Sequence, residues 1–360
     1  MISEKWDAIK NKIENLSVEE ILKEDLLNFF NISTESFSIA ELESLYDKQI
    51  FNELGQPLAY FRKSIEDIKN HFFKYEWLHD HIFTDSKSQF VFENIIFAKV
   101  NMSIEGISLA CTDSEIYFDK EIWGNLSEEV FIDCGGYTGD TALQFIKSCP
   151  NYKQIYVYEA YPPIYKKCSE NLSYFIEEGA LIVKNCAVSN TSGLFAFSIN
   201  QGTGDGCIDV NGETEVAAIS LDEDIHERVS FIKMDIEGAE KNALKGAKKI
   251  IEMYAPKMAI CIYHLPDDFW RITELILEIN KNYTFQIRQH THSGFSETVL
   301  YCIPIEKKSK STTIAFTDVS SKRLIKSIEN LVIRTKEEIN YLTACEKDRN
   351  WYLFQLRMHS

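Results

Sequence analysis

The chain has 360 residues, with 38 lysines and arginines against 55 aspartates and glutamates, a formal charge of −17. The length allows a large core with appended helical units, and the acidic balance argues against nucleic acid as the main partner, because duplex binders present a basic face. Met1 to Lys10 is charged and lacks a signal peptide's apolar stretch, no apolar run reaches the roughly 20 residues of a membrane span, and the nine cysteines form no Cys-x-x-Cys pair.

Cysteines used in this way suit free, mostly buried thiols in a reducing compartment, so the expected location is cytoplasmic. Residues 1–125 predict a helical N-terminal region. Ile9, Ile13 and Leu16, then Ile21, Leu22, Leu26, Phe29 and Phe30, recur at helical spacing. A second helical group runs through Tyr60, Ile65, Ile68, Phe72 and Trp77, and a third from Phe90 to Met102. His71, His79 and His81 lie among aromatics with no thiolate nearby and are read as packing or surface histidines.

From Val130 short apolar runs alternate with helical stretches, the pattern of a parallel sheet. Strands are expected at 130–134, 154–159, 181–187, 229–234, 257–263, 283–288 and 297–303. Helices are expected near 138–148, 162–177, 238–253 and 267–281. An extra segment, 193–219, carries two strand-like runs around the loop Gly202-Thr203-Gly204-Asp205-Gly206. Together 126–305 read as an α/β nucleoside-binding domain. Residues 306–320 are polar and read as a linker. Leu324, Ile328, Leu331, Ile339, Leu342, Leu353 and Leu356 then mark a C-terminal helix over 321–360. It is a candidate for docking or for homo-oligomer formation.

The strongest motif is Val130-Phe131-Ile132-Asp133-Cys134-Gly135-Gly136-Tyr137-Thr138-Gly139-Asp140-Thr141. A buried strand ends in an acid, turns through glycines and enters a helix, whose free N–H groups face a ligand. Thr138 is the expected cap of that helix. A dinucleotide fingerprint starting at Gly135 needs glycine where Tyr137 and Asp140 stand. Asp133 and Asp140 would also repel a pyrophosphate. S-adenosylmethionine has no phosphate and carries an ammonium and a sulfonium, so acids suit it. Glu159 ends the second strand roughly 20 residues further on, where such folds place an acid against ribose hydroxyls. Asn185, Cys186 and Ala187 end the third strand and are candidates for the adenine edge, with Ala160 beside them.

The run Ile232-Lys233-Met234-Asp235-Ile236-Glu237-Gly238-Ala239-Glu240, followed by Leu244 and Gly246-Ala247 and preceded by Leu221-Asp222, resembles the FkbM-type methyltransferases. The resemblance covers about 126–303. Upstream, Trp77 to Phe92 is similar to the helical extension of some bacterial members. The resemblance implies a class I methyltransferase (Rossmann-like) fold, a seven-stranded sheet whose last strand is antiparallel. It also implies methyl transfer from S-adenosylmethionine to oxygen, with many bacterial members linked to surface glycans or polysaccharides. Carried over by motif, Asp133, Gly135, Gly139 and Glu159 contact the donor, and Asp235 sits beside the reacting methyl. The family's second acid is often followed directly by proline, whereas here Glu159-Ala160-Tyr161 delays it to Pro162.

Ligands of open α/β sheets bind beyond the carboxyl ends of the parallel strands. Asp235 and Glu237 follow the fourth strand, His264 follows the fifth, and an antiparallel last strand returns His290, His292 and Glu297 to the same rim. The expected catalytic set is Asp235, His264, Glu237 and His290, with His264 as base. The donor set is Asp133, Gly135, Gly136, Tyr137, Thr138, Gly139, Asp140, Thr141, Glu159, Ala160, Asn185, Cys186, Ala187 and Asp235. Glu240 is read as a structural helix acid. No compact ligand spacing points to a metal, although Asp235, Glu237 or a rim histidine offers donors for one. The expected acceptor is a hydroxyl-bearing small molecule or glycan. The alternatives are a non-catalytic scaffolding member of a glycan-assembly complex and a methyltransferase acting on nitrogen or RNA.

Overall fold

The structure is a computed structural model and describes residues 3–32, 37–48, 56–199, 206–208, 211–292 and 294–305. The linker and C-terminal helix expected over 306–360 lie outside the described residues, as do Gly202 to Asp205 of the glycine-rich loop. The described residues belong to one compact unit. Among the described residues no helix is long and apolar enough to cross a membrane. The described cysteines are all free, and most are buried.

The N-terminal region is helical because its serines start helices at the right places. Ser17 and Ser38 each form a reciprocal cap with a glutamate three residues on, Glu20 and Glu41. The central helix, Ser86–Asn101, is buried on several sides. It packs on a sheet strand, where Ser88 Oγ accepts from Ile287 N at 3.1 Å and from Arg288 Nη1 at 3.0 Å. The helical region and one face of the sheet therefore share a continuous apolar core that includes Phe92, Ile95, Phe269 and Ile287.

The main strands are β1 (Val130–Cys134), β2 (Gln154–Tyr158) and β3 (Leu181–Lys184). A second sheet uses β4 (Ala187–Val188), β5 (Gly193–Ile199), β6 (Gly206–Ile208) and β7 (Thr214–Ile219). The main sheet resumes with β8 (Phe231–Met234), β9 (Lys257–Cys261), β10 (Tyr283–Gln289) and β11 (Thr298–Pro304). The main sheet has the order β10-β11-β9-β8-β1-β2-β3, with β11 antiparallel to both neighbours and β1, β2, β3, β8 and β9 parallel. This is an α/β fold with a mixed sheet. The second sheet has the order β4-β7-β5-β6.

Two expectations change. The run 181–187 is not one strand: β3 stops at Lys184, and after Asn185 and Cys186 the chain pairs with β7 instead. The extra segment forms a second sheet together with β4 and supplies Phe197 and Ile208 to the cleft described below. The opposite face of the main sheet buries Phe118, Phe131, Phe145 and Phe231. In that register Asp133 lies directly beside Lys233, so both side chains point to the same face.

Candidate active site

A cleft of about 600 Å³ opens beyond the carboxyl ends of β1, β2 and β8, within the range of small-molecule sites. Its floor is the turn after β1. Gly135 has φ +85°, and a Cβ there would lie 1.9 Å from the Asp235 carbonyl oxygen. Only glycine fits so close a strand approach. The N–H groups of Gly135 and Gly136 donate to Tyr158 O at 3.0 and 2.9 Å, tying the turn to β2. Thr138 does not cap the following helix, Asp140–Ser148. Gly139 takes the cap position with φ +87° and no side-chain bond is made. Thr138 instead accepts from Asn171 Nδ2 through its carbonyl.

Glu159 borders the cleft with its carboxylate fixed. Oε2 accepts from Tyr137 N at 2.9 Å and Oε1 from Tyr161 N at 2.8 Å. Burial raises its pKa, and the two backbone donors oppose that shift. Gly135, Tyr137, Asp140, Thr141, Ala160, Cys186 and Ala187 also line the cleft. Asp133, Gly136, Thr138, Gly139 and Asn185 lie outside its lining. Asn185 is exposed and clamps the loop by donating to Glu159 O at 2.9 Å and Ala160 O at 3.0 Å.

Asp133 is fully buried beneath the turn, where its Oδ1 is 3.2 Å from Lys233 Nζ. Lys233 also donates to Gly135 O at 2.8 Å. Burial opposes the lysine's charge, but Asp133 and Asp235 outweigh it and raise its pKa. The acid expected at the donor therefore holds the lysine that supports the floor.

At the other wall Asp235 is gripped by two phenols: Tyr117 Oη donates to Oδ2 at 3.0 Å and Tyr263 Oη to Oδ1 at 3.1 Å. Burial disfavours its charge, yet Lys233 and His264 hold its pKa below the usual carboxylate value. His264 lies just behind the lining. Its Nε2 is 3.4 Å from Asp235 Oδ1 and 3.7 Å from Glu237 Oε2, and its Nδ1 is 3.0 Å from Glu240 Oε1. Burial works against protonation, but Glu240, Asp235 and Glu237 together raise its pKa to about 9. At neutral pH the ring so enclosed keeps its proton, the wrong state for the base expected of it.

His290 does reach the cleft, but both ring nitrogens are engaged. Nε2 lies 2.8 Å from the Tyr301 hydroxyl and Nδ1 3.3 Å from Ser114 O. Burial pushes its pKa down to about 4, so it serves as a neutral strut. His292 lies outside the lining, largely exposed and 3.8 Å from Asp113. Glu297 lines the cleft from a backbone held at φ +61°. Burial and then Asp235 push its pKa up to about 7. Glu240 is completely buried, and its Oε1 accepts from Ile236 N at 2.9 Å.

Residues 133–292 match the family model of the methyltransferase FkbM domain. This stretch is similar to the FkbM methyltransferase domain. A methyltransferase FkbM from Methylobacillus flagellatus superposes with a TM-score of 0.58 at 22% identity, covering 67% of this chain. At that identity the likeness is one of fold, and the chain spans 62% of that protein's length. An rRNA methylase from Streptococcus thermophilus matches at TM-score 0.32 and 16% identity, over 57% of this chain and 96% of its own. Aeropyrum pernix fibrillarin, solved with bound S-adenosyl-L-methionine, matches at 0.31 and 10%, over 49% of this chain and 66% of its own. No curated protein matches significantly.

Within the matched stretch, sequence reasoning gave no role to Lys233 and Tyr263, which lie near residues it selected. It also passed over Tyr117, which lies upstream of the matched stretch and carries no motif. Their common signal is adjacency to Asp235, visible only once β1, β8 and β9 lie side by side.

Proposed function

We propose that the protein is an S-adenosylmethionine-dependent methyltransferase that methylates a hydroxyl oxygen of a sugar or surface-glycan precursor. The carrying observation is that Glu159 and Asp235, at the ends of β2 and β8, line the same cleft. The acids that line the cleft suit the cofactor. Asp140, Glu159, Asp235, Glu237 and Glu297 all line this space, with Lys233 also present, so an ammonium and a sulfonium are favoured there and a pyrophosphate is not.

When bound, the cofactor supplies an electrophilic methyl on a sulfonium. The chain's own task is positioning. Glu159, pre-set by Tyr137 N and Tyr161 N, accepts from ribose hydroxyls. Cys186, Ala187, Phe197 and Ile208 offer an apolar wall for the base. Asp235, immobilised by Tyr117 and Tyr263, faces the reacting groups. Glu297, on the same rim, is placed to take the acceptor proton. A carboxylate-lined cleft also suits a polyhydroxylated acceptor, since each acid accepts from hydroxyls.

Calorimetry with S-adenosylmethionine and with NAD tests the reading. Binding of the first alone is expected. Glu159→Ala should weaken it by about tenfold or more, because each lost bond to a charged acceptor is worth roughly 1.5–3 kcal/mol. A wild-type protein that does not bind the methyl donor would overturn the proposal. Transfer of labelled methyl to glycan extracts, read by mass spectrometry, then identifies the acceptor.

A further inference from the structure

We infer that Asp235, Glu237 and His264 form a binding site for one divalent transition-metal cation at the acceptor end of the cleft. The three ligand atoms all lie within 4.8 Å of one another. Nε2 of His264 is 3.4 Å from Asp235 Oδ1 and 3.7 Å from Glu237 Oε2. A cation with bonds of roughly 2.0–2.2 Å to nitrogen and oxygen separates adjacent ligands by roughly 3–3.6 Å, so a small closure completes the set.

The independent observation is the histidine itself. Its side chain is only 7% exposed, and Nε2 has no hydrogen-bond partner while it faces the gap between two carboxylates. A bound cation would replace the proton that the ring otherwise carries and give this buried nitrogen the partner it lacks.

The surroundings have the outer shell of a metal centre. Metal-binding histidines present their second nitrogen to a carboxylate, and metal-binding carboxylates are themselves hydrogen-bonded. Here Nδ1 lies 3.0 Å from Glu240 Oε1, and Glu240 is fixed by Ile236 N. Asp235 is held on both oxygens by Tyr117 and Tyr263. Because Asp235 and Glu237 also line the cleft, the remaining coordination positions open toward the acceptor. The neighbouring trio Glu240, His264 and Asp268 lacks that opening. Asp268 is completely buried and already accepts from Leu265 N at 2.7 Å.

One imidazole with two carboxylates suits manganese, iron(II) or zinc better than calcium. Its chemical part rests on the methyltransferase reading above. The cation binds the acceptor hydroxyl oxygen and lowers its pKa. The proton passes to Glu297, the new O–CH₃ bond forms as the S–CH₃ bond breaks, and the sulfur leaves as a neutral thioether.

The test is a Mn²⁺ titration of the metal-stripped full chain, following loss of the free-ion signal by electron paramagnetic resonance. Uptake of one Mn²⁺ per chain is expected. Glu237→Gln and His264→Gln should weaken uptake at least about tenfold, and Glu240→Gln, which changes only the outer shell, by about 10–100-fold. Thermal melting of the same proteins reports that they are folded, and donor affinity is measured on the wild type. An undiminished free Mn²⁺ signal with wild type, or equal uptake by folded variants, overturns the site. Donor binding without metal uptake defeats this inference and leaves the methyltransferase reading standing. Metal uptake without donor binding does the reverse.

Discussion

Lys233 serves three neighbours with one ammonium: Asp133 below, the Gly135 carbonyl beside it and the field of Asp235 above. It is 2% exposed and its partner Asp133 is wholly buried, so removing the ammonium leaves an uncompensated charge in the core. Lys233→Met should therefore lose about 3–5 kcal/mol of stability. The double variant with Asp133→Asn should recover part of it, as urea denaturation would show. An unchanged midpoint in the single variant would mean that the pair does not hold the turn. Tyr117 donates to Asp235 from 118 positions away in the sequence. If it positions Asp235 for transfer, Tyr117→Phe should lower kcat about tenfold while donor affinity stays put, the pattern of an interaction made in the transition state. A change in donor affinity alone would contradict that role.

Among the elements, the π-helical turn Leu78–Ile82 and the helix Ser86–Asn101 are joined through His79. Its ring stacks on Trp6 at 4.4 Å, Nδ1 is 2.6 Å from Asp80 and Nε2 is 2.9 Å from Glu93, which in turn accepts from Ser3 at 2.5 Å. Burial opposes the positive charge, but Glu93 and Asp80 raise the pKa above the usual histidine value. A histidine whose folded pKa is raised contributes stability below its unfolded pKa and loses it as pH rises through the folded one. Stability measured by urea should thus decline from near pH 6.5 upward, and His79→Gln should flatten that decline. The raised pKa of His264 leaves part of the slope in place, so only a slope unchanged by the substitution would remove His79 as a source. The pattern Leu221-Asp222 and the Gly246-Ala247 step have structural causes too. Asp222 caps the helix Lys248–Tyr254 by accepting from Lys249 N and Ile250 N at 2.8 and 3.0 Å, while a Cβ on Gly246 would lie 2.0 Å from Ser189 O.

On the scale of the whole molecule, the cleft is bounded by residues from 114 to 297. Deleting 306–360 is accordingly expected to leave donor affinity within about twofold, as for independent sites. Calorimetry on the 1–305 chain checks this, and light scattering on both chains tests self-association through 321–360. A large loss of donor affinity would show that the C-terminal segment serves the cleft. The sequence alone determined the parts whose physics is local: the strand-acid-glycine turn at 130–139, the acid ending β2, and the helical spacing of the N-terminal region. Each depends on neighbours a few positions away, so periodicity and turn chemistry reveal it. Tertiary structure decided which of those residues face a ligand. It placed Asp133 under the floor with Lys233, enclosed His264 among three carboxylates, tied His290 to Tyr301, and brought Tyr117 onto Asp235. Burial and charge pairing at these positions arise only between strands far apart in the chain, and no local pattern encodes them.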